Sequence, residues 1–211
     1  MKKESQVIFD KNVIEFVTVA AEFCAFLERA ESMKRSTFVD TTLKILPLLY
    51  LKASMLPKCE MIGDESPETY VTEEIYEVLR INLASILAEK DDYLEVFLPD
   101  MAYSDEPIKK NISEDLADIY QDIKDFIFVF QLGLNEAMND SLAICQENFG
   151  LLWGQKLVNT MRALHDVKYS PKARGEDEEE EEYEPENNED CHCEDDDCHC
   201  HDHGCHCHDD E

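Results

Sequence analysis

Three Cys-His-Cys triplets near the C-terminus carry the side chains whose spacing most directly predicts chemistry. They begin at Cys191, Cys198 and Cys205, so the unit repeats every seven residues. Because alternate side chains of an extended chain point to one side, the two thiolates of a triplet can hold the same ion. The candidate metal ligands in this segment are Cys191, His192, Cys193, Cys198, His199, Cys200, His201, His203, Cys205, His206, Cys207 and His208. Twelve such donors are enough for about three four-coordinate ions.

The donor types narrow the metal to soft or borderline transition-metal ions. Thiolates favour Zn(II) and Cu(I), whereas imidazole suits zinc, copper and nickel. Zn(II) fits this mixture best, and Ni(II) and Cu(I) are the alternatives. The interleaved Asp and Glu residues raise the local concentration of cations. Because thiols must lose their protons to bind metal, we expect binding to release protons and to depend on pH.

The same segment lacks the apolar side chains that a compact zinc fold needs. Apart from the cysteines, no apolar side chain lies between Cys191 and Glu211. Ions bound there should exchange readily, which favours storage, buffering or delivery of metal. In composition the segment resembles the His/Cys-rich termini of nickel-handling prolyl isomerases and hydrogenase-maturation GTPases, and the Cys-x-Cys units of metallothioneins. A low-complexity tail that only adds negative charge is the alternative interpretation.

Negative charge is concentrated after Gly175. Nineteen of the 49 acidic residues follow it and none of the 19 basic residues does, so this part contributes −19 of the net charge of −30. A chain this negative repels phosphate backbones and anionic lipid, so neither nucleic acid nor a membrane is an expected partner. Residues 171–190 should form an acidic disordered linker, and residues 191–211 should be disordered without metal.

The cysteine pattern and the N-terminus predict a cytoplasmic location. No basic N-terminal segment precedes a long apolar run, so a signal peptide is not expected. The apolar stretch 126–130 is far shorter than the roughly 20 residues of a membrane helix. Six of the nine cysteines lie in the triplets, where neighbours are too close for unstrained disulfides. Metal ligation in a reducing compartment is therefore favoured over a secreted disulfide framework.

Residues 1–170 show helical periodicity and predict one all-α domain. The spacing predicts helices over about 7–31, 37–55, 72–88, 113–132 and 136–167. Thr72 should cap the third helix, Gly133 should end the fourth, and Pro47 should kink the second. Residues 91–107 should be irregular, with one helical turn at 93–97 and no strand. The predicted fold is an up-and-down bundle of four to five long helices.

Two acidic patterns in this domain are candidates for magnesium binding. The first consists of Glu73, Glu74, Glu77, Glu89 and Asp92. It resembles the EExxE and ExxD motif of all-α nucleotide pyrophosphohydrolases, although on one helix its two parts would lie ~20 Å apart. The second, at residues 91–95, resembles the DDxxD/E pattern of all-α terpenoid synthases but has no second motif. A solvated acidic surface is the favoured interpretation of both.

The remaining candidates in the domain have structural explanations. Cys24 and Cys145 fall on apolar stripes and are expected to be small core residues. His165 is the one histidine of the domain, too few for a di-iron site, and is expected to be exposed or hydrogen-bonded near a helix end. Gly150 and Gly154 form a GxxxG pattern, which predicts a close approach of helices within the bundle or across a dimer.

Four stretches of the domain carry a family resemblance: KNVIEFVTVAAEFCAFLE (11–28), LPLLYLKASMLP (46–57), LADIYQDIKDFIFVFQLG (116–133) and ENFGLLWGQKLVNTMRALH (147–165). Together they resemble an uncharacterised bacterial family, a domain of unknown function found in gut-type anaerobes. The resemblance implies a cytoplasmic helical domain over about residues 5–170 and supplies no activity. The sequence therefore predicts a non-enzymatic metal-binding protein. The alternatives are a helical module that binds a protein partner or forms a homodimer, and a magnesium-dependent nucleotide pyrophosphohydrolase.

Overall fold

Helices make up most of the two segments that the computed structural model describes, residues 7–95 and 108–170. Their bounds are α1 Lys11–Glu28, α2 Arg35–Ser54, α3 Glu73–Leu87, α4 Ile112–Gln131, α5 Asn135–Asn148 and α6 Gly154–Tyr169. A π-helical turn, Phe149–Trp153, joins α5 and α6 into one continuous helix, so the bundle has five long helices. The predicted all-α bundle is confirmed. The predicted linker and the Cys/His segment lie outside the described residues.

The signals that begin and end the helices act as the sequence predicts. The Thr72 side chain accepts a hydrogen bond from the backbone N–H of Ile75 and caps α3. After α4, Gly133 adopts a φ of 73°, a left-handed conformation in which glycine avoids the clash of a Cβ atom. Helix α2 continues through Pro47 to Ser54. Residues 58–70 form no helix or strand, as expected for the loop between α2 and α3.

Helix α4 lies at the centre of the bundle and contacts α1, α3, α5 and α6. Twelve of its 20 residues are buried, so its buried surface is wider than the single apolar face of an ordinary surface helix. Aromatic rings fill the space around it, with the ring of Phe126 5.5 Å from that of Phe16. Between α1 and α2, the rings of Phe26 and Phe38 stack 5.6 Å apart. No helix among the described residues is long and apolar enough to cross a bilayer.

A two-stranded antiparallel sheet between α3 and α4 was not expected from the sequence. Strand β1, Asp92–Leu94, pairs with β2, Lys109–Asn111, with Tyr93 opposite Lys110. The predicted helical turn at 93–97 is therefore wrong over residues 93 and 94. The pairing joins residues that are about 17 positions apart, and local propensity carries little information on such long-range partners. The sheet brings Asp91 and Glu95 against the helices.

The π-helical turn also corrects the interpretation of the GxxxG pattern. A Cβ atom on Gly154 would clash with the carbonyl oxygen of Phe149 in the same helix and lie 2.9 Å from Cδ2 of the Phe149 ring. A Cβ atom on Gly150 would meet nothing within 4 Å. Gly154 thus accommodates the wider turn of its own helix, and within the described bundle neither glycine is needed for an approach to another helix. A close approach across a dimer stays a prediction.

Gly154→Ala and Gly150→Ala form a matched pair that tests this role. We expect Gly154→Ala to lower the free energy of unfolding by ~1–3 kcal/mol, because the added methyl group overpacks the turn. Gly150→Ala should instead be neutral or stabilise by up to ~1 kcal/mol, because alanine is the better helix former. Urea unfolding followed by circular dichroism measures both values. Equal effects of the two substitutions would contradict the assignment.

Candidate functional site

The described domain does not contain a metal-binding cluster. Its three cysteines are all free thiols. Within the described segments, residues 7–95 and 108–170, no group of three or more His, Cys, Asp or Glu side chains is arranged to hold an ion. The twelve predicted ligands in residues 191–211 lie outside the described residues, so their geometry stays a prediction.

The domain thiols are protected from reaction by burial. Cys24 and Cys145 are each 2% exposed, which confirms that they are core residues. Burial raises the pKa of both thiols, and burial together with the Asp140 carboxylate raises the pKa of half-buried Cys59. The thiolate form that binds metal is disfavoured at all three positions. His165 is exposed, and its ring lies 4.6 Å from that of Tyr169, as expected for a residue near a helix end.

The acids of the first magnesium pattern are paired separately instead of converging on one site. Glu77 forms a salt bridge with Arg80 on the next turn of α3. Glu89 binds the guanidinium of Arg35 at the start of α2, at 2.6 Å. These pairings leave the acidic residues of α3 on an exposed surface, which agrees with the favoured interpretation.

The acids of the second pattern diverge into structural roles. Asp91 accepts hydrogen bonds from the backbone N–H and the hydroxyl of Ser113, both at 2.7 Å, and so caps the beginning of α4 from outside the helix. Glu95 is buried and accepts from Asn159 on α6 at 3.0 Å. Both side chains fasten the β-sheet to the bundle, and they do not face a shared cation position.

A cavity of about 500 Å³ lies between α4 and the α5–α6 helix. The loop between α2 and α3, residues 55–72, covers one side of it through Ser66 to Thr69. Helix α4 contributes Asp118, Gln121, Asp122, Asp125, Phe126 and Val129; the opposite wall is made of Ser141, Ile144, Cys145, Asn148, Leu152, Trp153 and Lys156. The lining therefore combines apolar side chains with polar ones, and α4 supplies an acidic side.

Three carboxylates on one face of α4 form that acidic side. Asp118 accepts a hydrogen bond from the hydroxyl of Tyr76 at 2.8 Å and forms an ion pair with Lys156. Asp125 accepts the backbone N–H groups of Tyr70 and Val71, at 2.7 and 2.8 Å. Between them, Asp122 accepts from the side-chain amide of Asn148 at 2.6 Å. The three acids are thus held in place by different elements of the bundle.

The electrostatics of the cavity follow from burial and from the closeness of these acids. Burial raises the pKa of Asp122, and the neighbouring charges of Asp125 and Asp118 add to the effect. Burial also raises the pKa of Asp125, against the two backbone hydrogen bonds. Burial disfavours the ammonium form of Lys156, but the hydrogen bond to Asp118 and the negative charges of Asp118, Asp115 and Glu114 together outweigh this cost and raise the pKa of the lysine.

The π-helical turn shapes the wall opposite α4. Trp153 is fully buried, and its indole N–H donates to the backbone carbonyl of Cys145 at 3.1 Å. The ring of Phe149 lies 4.7 Å from it. Such turns are often found at functional sites because they turn side chains away from the regular helical positions.

The loop over the cavity is fastened at both ends by α4 and α5. Asp140 accepts the backbone N–H groups of Ile62 and Gly63, at 2.7 and 2.8 Å. At the other end, Asp125 holds the N–H groups of residues 70 and 71. The sequence predicted no site here, although Asp118, Asp122 and Asp125 share one helix face at a spacing of four and three residues.

The described residues define an all-α domain with one buried central helix and an acidic cavity beside that helix. The chain belongs to the family described as a domain of unknown function, DUF5063, which matches residues 7–170. The chain is similar to protein BF1032 from Bacteroides fragilis, a structural-genomics target with a crystal structure. The two sequences are 92% identical, the match covers 80% of this chain and 99% of that chain, and the TM-score of the two structures is 0.73. No functionally curated protein matches the chain. The Cys/His segment lies outside the family match.

The raised pKa of Asp122 predicts how Asp122→Asn changes stability with pH. Between the ordinary aspartate value of roughly 4 and the raised value, the folded state binds more protons than the unfolded state, so wild-type stability falls as pH rises through this window. The substitution removes that cost. We therefore expect the difference in free energy of unfolding, Asp122→Asn minus wild type, to be more positive at about pH 7 than at about pH 4.

Urea midpoints at the two pH values measure this difference. Asp166→Asn, on an exposed side chain of α6, is the control for the loss of one negative charge. A variant-to-wild-type difference for Asp122→Asn that is the same at both pH values would contradict the buried position of this carboxyl group.

Proposed function

We propose that this protein binds transition-metal ions through the Cys and His residues of 191–211, without enzymatic activity, and that the helical domain carries this segment. The observation behind the proposal is the heptad repeat of Cys-His-Cys triplets in the sequence. Six thiols and six imidazoles within 21 residues exceed what an acidic solubilising tail requires. Zn(II) is the expected metal, with Ni(II) and Cu(I) as alternatives.

The chemistry of the described domain supports this division of roles. The thiols of Cys24 and Cys145 are buried and have raised pKa values, so they are poor competitors for soft metal ions. Metal bound by the triplets should exchange, since no apolar core surrounds them, and this suits storage, buffering or delivery in the cytoplasm. The acidic linker and the acids between the triplets attract cations to the segment.

Metal titration of the full-length, reduced protein tests the proposal. We expect wild type to bind about three Zn(II) ions with release of protons, as twelve donors in tetrahedral sites require. The test variant replaces the six triplet cysteines: Cys191→Ser, Cys193→Ser, Cys198→Ser, Cys200→Ser, Cys205→Ser and Cys207→Ser. Its Zn(II) affinity should fall by at least about tenfold, measured by competition with a chromophoric chelator.

Cys59→Ser in the domain is the matched control and should bind zinc as wild type does. The same titrations with Ni(II) and, under anaerobic conditions, Cu(I) identify the preferred metal. Equal affinities of wild type and the six-serine variant for all three ions would refute the proposal.

A second candidate function, a homodimeric interaction module, is favoured by an apolar stripe on the outer face of α2. Leu48, Leu51 and Met55 are spaced by three and four residues and are 44, 51 and 45% exposed. They point away from the core-facing residues of the same helix, such as Leu49 and Ala53. An apolar stripe on an exposed helix can pair with its own copy in a second molecule.

Light scattering over a range of protein concentrations tests this second function. We expect wild type to dimerise as concentration rises, and Leu51→Glu to stay monomeric because a charge would enter the apolar contact. Val78→Glu, the same kind of change on the exposed surface of α3, is the control and should behave as wild type. A wild-type protein that is monomeric throughout would exclude this role.

A further inference from the structure

The cavity beside α4 is unrelated to the proposed metal segment and has the size of a ligand site. Its volume of about 500 Å³ lies within the range of small-molecule pockets, roughly 300–1,000 Å³. Exposed residues at its edge, Gln121 and Leu152, leave it open to solvent on one side. The cavity can therefore exchange a ligand without unfolding of the bundle.

The charge of the lining selects cations. Glu68, Asp118, Asp122 and Asp125 line the cavity, and Lys156 is the one basic residue among the described residues that line it. Since Lys156 is already paired with Asp118, the lining keeps a net negative charge. Anionic ligands would be repelled from this partly buried site, while a positive group would be attracted to it.

Asp122 offers the clearest free acceptor for that positive group. Its Oδ1 accepts from Asn148 at 2.6 Å, whereas its Oδ2 receives no hydrogen bond from the described residues. Among the described residues, Thr160 Oγ1 is the only fully buried side-chain oxygen or nitrogen that has no hydrogen-bond partner. Because Oδ2 of Asp122 also has no partner, it must keep some surface accessible to solvent. An N–H group in the cavity can reach this oxygen and neutralise a carboxylate that burial penalises.

The apolar part of the lining distinguishes an organic cation from a hydrated metal ion. Ile144 and Leu152 supply accessible apolar surface to the lining, and Phe126, Val129, Cys145 and Trp153 lie behind it with at most 2% of their surface exposed. Hard cations such as Mg²⁺ and Ca²⁺ require several oxygen ligands at once, and the described acids form no group of three that could hold an ion. A carbon skeleton, in contrast, gains from contact with these side chains.

We propose that the cavity between α4 and the α5–α6 helix binds a small organic amine, with its ammonium group on Asp122 and its apolar body against Ile144 and Leu152. The charged end of the ligand would thus contact the acidic part of the lining, and its apolar end would contact the apolar part. This site goes beyond the metal-binding function and does not depend on it, because it is argued from described lining residues that all lie before the Cys/His segment.

Calorimetric titration of the full-length, metal-free, reduced protein with 2-phenylethylamine tests the site. We expect saturable binding of the amine, and an affinity for the neutral 2-phenylethanol that is weaker by about tenfold or more, because the charge contact is lost. The anionic 3-phenylpropanoate should not bind. Hexylamine, an alkyl amine, should bind as well, since the apolar part of the lining recognises apolar surface and not one ring.

Two substitutions separate the polar and apolar contacts. Asp122→Asn keeps the shape and an acceptor for Asn148, and should weaken amine binding by about tenfold or more. Ile144→Trp should fill the cavity and abolish binding of both amines. Asp166→Asn, which removes a charge outside the cavity, and the six-serine variant of the C-terminal triplets should both bind amine as wild type does.

Several outcomes would overturn the proposal. Equal affinities for the amine and the alcohol would show an apolar cavity without charge recognition. Amine binding that survives both Asp122→Asn and Ile144→Trp would come from the acidic C-terminal part of the chain instead. The absence of saturable binding by either amine at millimolar concentration would also refute the site. None of these results changes the metal titration, so the two proposals fail independently.

Discussion

Helix α4 is buried by α1, α3 and the continuous α5–α6 helix, and the polar groups on it must find partners on the elements that cover it. Asp118 binds Tyr76 of α3 and Lys156 of α6. Asp125 holds the backbone of the α2–α3 loop, and Lys124 forms a salt bridge with Glu28 of α1 at 2.6 Å. A buried carboxylate without a partner would lower the free energy of unfolding by several kcal/mol, which is a large part of the roughly 5–15 kcal/mol that stabilises a domain. The polar residues of α4 therefore determine where its neighbours lie.

The helices could be predicted from the sequence because their signals are local. Apolar spacing identified all of the long helices, and Thr72 and Gly133 marked ends that the structure confirms. The β1–β2 pair was missed because its partners are joined by tertiary contacts: Asp91 caps α4, and this holds the two strands side by side. The π-helical turn was missed because the pattern around Gly154 is also that of a close helix contact, and only the position of the Phe149 carbonyl separates the two cases.

The two candidate sites differ in how they can be recognised. The metal ligands of residues 191–211 repeat along the chain, so their spacing alone predicts chemistry, and no fold is needed to bring them together. The cavity depends on residues from α4, α5, α6 and the α2–α3 loop. Its acids do share a helix face in the sequence, but the same spacing is common on solvated helices. Asp122 differs from a solvated acid because the α5–α6 helix lies opposite to it, and this contact forms only when the helices pack together.

The π-helical turn sets the rotational phase of α6. Such a turn holds one residue more than a regular helix, and each residue rotates the helix by about 100°. The contacts of α6 at its two ends, Lys156 with Asp118 and Lys168 with Asp40 of α2, both lie beyond this extra residue. A one-residue deletion in the turn would leave a regular helix of almost the same composition and turn both lysines away from their partners. The alignment of α6 with the bundle is thus encoded in a residue count, and insertions or deletions there would be less tolerable than substitutions.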